Sequence, residues 1–222
     1  MIKHPITIAG LLLAMFAVVG VGLVAFTHQA TKDQIAENER QALLNSLNAL
    51  VPAASIDNDI VTDLTTVSDQ DKLGTTETTV YLGRKANQPV AAVFTSIAPD
   101  GYSGQIKLLV AVLADGSLGG VRVVAHKETP GLGDKIEVEK SDWIHDFQGK
   151  SLKDPEQTKW KVKRDGGIFD QFSGATITPR AIVKAVKNTL LYYDENKKHL
   201  FLAKAPAKQQ TAAAAPNTES GK

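Results

Sequence analysis

The chain contains no cysteine, and this absence excludes several kinds of site. Without thiols there can be no disulfide, no thiolate metal site, no cysteine-ligated iron–sulfur cluster and no bacterial lipoprotein anchor. The absence does not indicate a compartment, because a cysteine-free chain suits an oxidising space and a reducing space equally well.

An excess of positive charge is also missing, since the formal net charge is only +1 at pH 7. The sequence has no basic arm and no lysine- and arginine-rich stripe interleaved with aromatic residues, so nucleic acid is not an expected partner. Hydrophobic residues make up 43% of the chain and charged residues 22%. These shares are ordinary for a globular protein and allow one folded domain with a core.

The common catalytic and metal-binding motifs are missing as well. The five histidines form no i, i+4 pair and no His-Glu-x-x-His motif, so no metal site is predicted. The sequence lacks the Gly-x-Ser-x-Gly elbow of many serine hydrolases. The glycine-rich stretches at residues 101–104 and 131–133 lack the lysine and the strand–loop–helix context of a nucleotide-phosphate loop, and as isolated features they indicate turns.

One long hydrophobic run is present, PITIAGLLLAMFAVVGVGLVAF at residues 5–26, and it carries no charge. About 20 helical residues span the ~30 Å hydrocarbon core of a bilayer. A cleavable signal peptide is the alternative, but its apolar region is usually about 7–15 residues long, and residues 27–30 make a poor cleavage site. We therefore predict a single-pass membrane anchor at residues 1–30. Lys3 on its short N-terminal side favours a cytoplasmic N-terminus and an external C-terminal domain.

Beyond the anchor, the sequence predicts a connector, a folded domain and a tail. Residues 31–78 form the connector, with an amphipathic helix at residues 32–50 and a polar, threonine-rich loop at residues 57–79. Residues 79–202 form an α+β domain, in which helices pack on an antiparallel sheet. Residues 203–222 are rich in Ala, Pro, Gln and Ser and are predicted to be a disordered tail.

Valine- and leucine-rich segments bounded by Gly, Pro and Asp predict the strands of the sheet. These segments lie at residues 79–83, 89–96, 105–114 and 119–126, with a further short strand at residues 160–164. The Asp-Gly pair at residues 115–116 predicts a hairpin between the third and fourth segments, because both residue types tolerate positive φ.

Two helices are predicted to pack on this sheet. The first covers residues 141–147, with Ser141 as its N-cap. The second covers residues 179–193, and an apolar stripe along it indicates a buried face. Thr178 is the predicted N-cap of this second helix. Pro179 suits its first position, because an N–H there would have no partner within the helix and its absence costs no hydrogen bond.

The stretch DQFSGATITPR at residues 170–180 is the most specific candidate site. Gly174 and Ala175 remove side-chain bulk directly before Thr176, shortly before the predicted helix start. The first turn of a helix presents unpaired N–H groups and a partial positive charge, which suit a phosphate. On the residues alone, a plain turn and helix cap remains the simpler interpretation.

Five residues of this stretch match the pattern Asp-x-x-Ser/Thr-Gly-Ala-Thr/Ser, which resembles a covalent flavinylation motif: Asp170, Ser173, Gly174, Ala175 and Thr176. Together with the anchor, the GYSG loop and the HKETPGLGDKIE segment, they make the chain similar to a known family. It resembles the G subunits of Rnf-type (also Rsx-type) electron transport complexes, relatives of the C subunit of the sodium-pumping NADH:quinone reductase. The resemblance covers nearly the whole chain except its tail.

The resemblance implies a cofactor and its contacts. In this family a flavin transferase, using FAD and Mg²⁺, esterifies the last hydroxyl of the motif with the phosphate of FMN, and that hydroxyl is here on Thr176. The transferase would read four motif residues, Asp170, Ser173, Gly174 and Ala175. The last three of these would also lie beside the cofactor. Loop residues expected near the isoalloxazine ring are Glu128, Thr129, Leu132 and Gly133. Tyr102 is either part of the same pocket or a surface aromatic residue.

The implied function is that of a membrane-anchored electron carrier with one covalent FMN. It would be a redox subunit of an ion-translocating complex rather than a stand-alone enzyme. That complex would either link ferredoxin and NAD or keep a redox-sensing regulator reduced. The implied partners are the other subunits of the complex, a periplasmic flavin transferase and the bacterial inner membrane. The alternative is a non-redox, membrane-anchored assembly module, in which the small-residue turn is only structural.

Overall fold

The structure is a computed structural model that describes residues 4–202 of the 222-residue chain. The predicted tail at residues 203–222 lies outside the described residues, and so does Lys3, on which the predicted orientation depends. The chain divides into two compact units, the first ending at Ser46 and the second beginning at Leu47.

The described part of the first unit is one continuous helix. Helix α1 runs over His4–Leu50, 47 residues, so the connector helix predicted at residues 32–50 continues the apolar segment without a break. At a rise of about 1.5 Å per residue, α1 is about 70 Å long, whereas a bilayer core is ~30 Å thick. Residues 7–26 are exposed along this helix. By length and composition, α1 is able to cross a membrane.

The second unit contains a five-stranded antiparallel sheet whose strands lie side by side in sequence order. The strands are β1 (Leu64–Val67), β2 (Thr78–Lys85), β3 (Gln88–Ala98), β4 (Ile106–Leu113) and β5 (Leu118–Ala125). Strands β2 to β5 confirm the four main predicted strands. The Asp-Gly pair at residues 115–116 forms the hairpin turn between β4 and β5, as predicted.

Two predictions about the remaining segments are wrong. Residues 57–79, expected to be a loop, contain β1 and the short helix α2 (Gln70–Leu73). Strand β1 has no strand pattern of its own in the sequence, and it forms because it pairs with β2. Residues 160–164, expected to be a strand, contribute only an isolated bridge from Val162 to Phe169, because the chain turns back there through a short 3-10 helix.

Helix α3 (Ile177–Leu200) covers one face of the sheet. Phe94 of β3 contacts this helix, with its ring centroid 6.0 Å from that of Tyr192 and 6.3 Å from that of Tyr193. Successive side chains of a strand point to opposite faces. Val93 is nevertheless as fully buried as Phe94, so both faces of β3 are covered.

Between β5 and α3 the chain forms short 3-10 helices around a cluster of aromatic rings. The 3-10 helix Asp142–Phe147 begins after Ser141, whose hydroxyl accepts the N–H of Trp143. The predicted cap is therefore confirmed, although the helix is 3-10 rather than α. The rings that contact one another are Trp143, Phe147, Trp160, Phe169 and Phe172. This cluster fixes the segment that leads into α3.

Replacing Phe94 with alanine should lower the free energy of unfolding by about 3–5 kcal/mol, because it leaves a cavity between the sheet and α3. Urea unfolding of the detergent-solubilised full chain, followed by tryptophan fluorescence, measures this change. Val124→Ala is the control, because Val124 is 53% exposed on β5, and it should cost less than about 1 kcal/mol. Equal losses in the two variants would contradict the placement of Phe94 in the core.

Candidate functional site

A cleft of about 360 Å³ lies where three segments meet: the GYSG loop, the loop after β5, and the turn that leads into α3. Eight of the ten predicted site residues line it: Tyr102, Glu128, Thr129, Leu132, Gly133, Gly174, Ala175 and Thr176. Two further residues complete the lining, Ile177 and Thr178. The structure thus brings the two loops singled out in the sequence next to the motif threonine.

A tight turn presents Thr176 to this cleft. The N–H of Ala175 donates to the carbonyl of Phe172 at 3.1 Å, which closes a turn in which Gly174 has a φ of 82°. Glycine adopts this positive φ without strain, whereas other residues rarely do. Phe172 packs against Trp143 with ring centroids 5.2 Å apart. The turn is therefore fixed to the aromatic cluster.

The other two predicted motif residues, Asp170 and Ser173, lie outside the cleft with exposed side chains. The carboxylate of Asp170 pairs with the ammonium of Lys163 at 2.6 Å. Its backbone carbonyl accepts the indole N–H of Trp143 at 2.9 Å. Asp170 therefore fixes the turn through its backbone, and its side chain remains accessible from solvent.

Thr176 is the N-cap residue of α3 and is half-buried at the edge of the cleft. In the part of the chain that the structure describes, its hydroxyl makes no capping hydrogen bond. The first N–H groups of an α-helix have no partner within the helix, and they attract negative charge. The cleft therefore has a polar end where an uncommitted hydroxyl lies beside a helix N-terminus.

The prediction that Thr178 caps this helix is wrong. The helix begins earlier, because Thr176 already has helical dihedral angles, φ −84° and ψ −19°. Thr178 is consequently inside the first turn and fully buried, and its hydroxyl donates to Oε2 of Glu128 at 2.5 Å. This partner lies 50 residues upstream, so the local sequence contained no signal for it.

Glu128 connects the segments around the cleft. Its side chain is only 4% exposed, and besides the bond from Thr178 its Oε1 accepts the backbone N–H of Ser103 at 3.0 Å. Its own N–H donates to Nδ1 of His126 at 3.0 Å. Because Nδ1 accepts, the ring proton is on Nε2, which lies 2.6 Å from the carboxylate of Glu137. Glu128 thus links the GYSG loop, its own loop and the start of α3.

Two glycines allow the backbone to approach Glu128 closely. A Cβ added at Gly101 would lie 2.9 Å from Oε1 of Glu128, and one added at Gly133 would lie 2.9 Å from its Oε2. The Cβ at Gly101 would also lie 2.2 Å from the carbonyl oxygen of Gly104. These two glycines therefore allow close packing around a buried carboxylate.

The rim of the cleft is apolar and exposed. Tyr102 is 68% exposed, and Leu132 and Ile177 are each 44% exposed. Ile177 was not predicted from the sequence, although its position directly after the motif threonine was a usable signal. A large apolar side chain in the exposed first turn of a helix has no core to pack against there. The cleft therefore combines an apolar rim with one polar end, which suits a flat aromatic ligand that carries a phosphate.

The arginine nearest to the motif in sequence is directed elsewhere. Arg180 donates to both carboxylate oxygens of Asp165, at 2.6 and 2.7 Å. This hydrogen-bonded pairing holds the pKa of Asp165 below its usual range and raises the pKa of Arg180. Because Arg180 is paired with Asp165, its charge is not directed toward the cleft. The partial positive charge at the start of α3 comes from the backbone N–H groups of its first turn.

Comparison with known proteins identifies the family. A model of the FMN-binding domain matches residues 101–191, and a model of the RnfG N-terminal region matches residues 1–50. Relatives named as G subunits of an ion-translocating oxidoreductase complex are 48% identical over 200 residues in Shewanella baltica (90% of this chain, 94% of the relative) and 52% over 192 residues in Pseudomonas aeruginosa (86% and 90%). Another, from Vibrio cholerae, is 47% identical over 202 residues (90% and 96%). The chain belongs to the family of G subunits of ion-translocating oxidoreductase complexes.

This assignment confirms the family resemblance found in the motif and the two loops. The FMN-binding match contains every segment that lines the cleft, from the GYSG loop to the first turn of α3. The N-terminal match covers α1 up to its last residue, Leu50. The two matches thus cover the apolar helix and the part of the domain that forms the cleft.

The two threonines at the start of α3 should respond differently to the same substitution. Thr178→Val removes the hydroxyl that donates to Glu128 and leaves a buried carboxylate oxygen without that bond, so the free energy of unfolding should fall by about 1–3 kcal/mol. Thr176→Val is the matched control and should change it by less than about 0.5 kcal/mol. Urea unfolding of the full chain made without a flavin transferase measures both, and a larger loss in Thr176→Val would contradict these roles.

Proposed function

We propose that this chain carries one FMN, bound covalently through its phosphate to the hydroxyl of Thr176, and passes electrons between other subunits of a membrane complex. The observation that carries the proposal is the position of this hydroxyl. It borders a cleft at the start of α3, and in the described chain it makes no capping hydrogen bond. The cleft lies inside the match to an FMN-binding domain.

The start of α3 suits the phosphate of such an ester. A phosphate on Thr176 would lie beside the first N–H groups of the helix, which point toward it and favour its negative charge. Gly174 and Ala175 line the cleft next to Thr176, and their small side chains leave space for the ester.

The rest of the cleft suits a flat ring. Its volume of about 360 Å³ is near the lower end of the range of about 300–1,000 Å³ found for small-molecule sites. The rim residues Tyr102, Leu132 and Ile177 offer apolar contact, and the buried side of the cleft presents Glu128. A bound flavin would supply the electron-transfer chemistry, while the chain fixes its position and surroundings.

Covalent attachment requires a second protein to reach the motif, and the outward-facing residues make this possible. Asp170 and Ser173 are exposed, so we propose that a periplasmic flavin transferase reads them. In the reaction that the family resemblance implies, the oxygen of Thr176 forms a bond to the FMN phosphorus of FAD. The phosphoanhydride bond of FAD breaks, and AMP leaves with the proton of the hydroxyl.

Helix α1 would hold the protein in the bacterial inner membrane. Its uncharged segment at residues 5–26 is long enough to span the bilayer. Lys3 favours a cytoplasmic N-terminus, so the FMN domain would be periplasmic. A tether raises the effective concentration of the flavin near partner subunits, and a covalent bond prevents its loss to dilute surroundings. By the family resemblance, the complex would either couple electron flow between ferredoxin and NAD to ion movement or keep a redox-sensing regulator reduced.

Thr176→Ala should abolish covalent flavin, because it removes the oxygen that forms the ester. Thr176→Ser keeps a hydroxyl and should retain flavin, and Thr178→Ala should also retain it because that hydroxyl is buried against Glu128. The full chain is produced with its transferase and exported. Flavin fluorescence in a denaturing gel and intact mass then report attachment, and a flavin-bearing Thr176→Ala chain would contradict the assignment.

The same measurement separates this function from a non-redox assembly module. A module of that kind would show the mass of the bare chain even when a competent transferase is present. The bare mass in the wild-type chain would therefore contradict the proposed function, whereas a flavin attached to another residue would contradict only the choice of Thr176.

The proposed topology is testable because the chain has no cysteine of its own. A single cysteine at Lys140, an exposed position in the domain, should react in intact spheroplasts with a maleimide that does not cross membranes. A single cysteine at Ile2 should react only after the membrane is permeabilised. The reverse pattern of labelling would contradict a periplasmic domain.

A further inference from the structure

We infer that Glu128 lowers the reduction potential of the bound flavin by holding, at the wall of the cleft, a negative charge that is hydrogen-bonded but not paired with a side-chain cation. This inference rests on the proposed function, because it requires a flavin in the cleft. It assigns to Glu128 a role apart from attachment, since the ester forms at Thr176.

The carboxylate of Glu128 is buried, and each of its two oxygens accepts a hydrogen bond. The side chain is 4% exposed. Its Oε1 accepts the N–H of Ser103 at 3.0 Å, and its Oε2 accepts the hydroxyl of Thr178 at 2.5 Å. Two donors, one on each oxygen, are the arrangement expected for an ionised carboxylate, which only accepts. Glu128 also lines the cleft, so its charge lies beside the space that a ligand would fill.

In residues 4–202, no side-chain cation is paired with this carboxylate. His126 is nearby, but its Nδ1 accepts the N–H of Glu128 and its Nε2 contacts Glu137, as in a neutral ring. Hydrogen bonds offset the cost of burying the carboxylate, yet they leave its net charge in place.

A fixed negative charge opposes the addition of electrons to a nearby ring. Reduction transfers two electrons from the donor and one proton from the solvent to the flavin, so one negative charge remains on the ring and is repelled by Glu128. A unit charge about 10 Å away, acting through an effective dielectric constant of about 20, changes such an equilibrium on the order of tenfold. Removing the charge of Glu128 should therefore favour the reduced flavin by about this factor.

The decisive variant is Glu128→Gln, which keeps the shape of the side chain and one carbonyl oxygen to accept the Ser103 N–H. The full flavinylated chain is titrated anaerobically in detergent with low-potential dyes as electron donors. At the wild-type midpoint, the ratio of reduced to oxidised flavin should rise about tenfold, which is about 30 mV for a two-electron couple. Glu139→Gln removes the same charge from an exposed residue and should leave the ratio within about twofold.

A second pair of variants tests the charge without altering Glu128. Thr129 is an exposed residue that lines the same cleft. Thr129→Lys brings a cation to the cleft and should give a higher ratio of reduced to oxidised flavin than Thr129→Met, which has a side chain of similar length without the charge. If Glu128→Gln fails to fold or to retain flavin, this pair still tests the premise that a charge in this cleft shifts the reduction of the flavin.

Two results would overturn the inference. One is a ratio of reduced to oxidised flavin in Glu128→Gln within twofold of the Glu139→Gln value. The other, where Glu128→Gln carries no flavin, is an equal ratio in Thr129→Lys and Thr129→Met. A wild-type chain without covalent flavin would instead contradict the proposed function, and this is established by mass before any potential is measured.

Discussion

The hydrogen bonds to Glu128 hold together segments that are far apart in the chain. The carboxylate accepts from Ser103 and from Thr178, which lies 50 residues downstream. The paired ends of β4 and β5 bring the GYSG loop and the loop after β5 to the same end of the sheet. Inside the loops, the buried polar contacts with Glu128 fix the chain, and a network of this kind specifies one geometry only when its members are satisfied.

This arrangement explains the distribution of glycine around the cleft. The carboxylate accepts a backbone N–H and a side-chain hydroxyl at short range, and Gly101 and Gly133 are both too close to Glu128 for a Cβ. Gly174 serves a different purpose, because its positive φ turns the chain so that Thr176 starts α3. The same residue type thus provides close approach in two loops and chain reversal in the third.

Local signals in the sequence predicted much of the fold, and non-local contacts explain the errors. The four main strands, their Asp-Gly hairpin and the Ser141 cap depend on neighbouring residues, so their patterns were readable. Strand β1 was missed because it is short and is stabilised by pairing with β2. The pair Thr178-Pro179 is typical of a helix start and therefore predicts a cap, whereas the buried bond from Thr178 to Glu128 depends on tertiary structure. For Thr176, the residues alone leave a plain turn and a ligand site both open, and the family resemblance favours the ligand site.

The openness of the cleft gives a physical reason for the covalent attachment proposed here. Tyr102, Leu132 and Ile177 remain exposed around the rim, so a ring bound there would keep part of its surface in water. A small contact area limits non-covalent affinity, because only the surplus over the entropic cost of binding is retained. A covalent bond at Thr176 would remove that requirement, since the ligand could no longer dissociate. The exposed edge that weakens non-covalent binding would then be the edge through which a partner subunit exchanges electrons, so one open site would account for both the tether and the access.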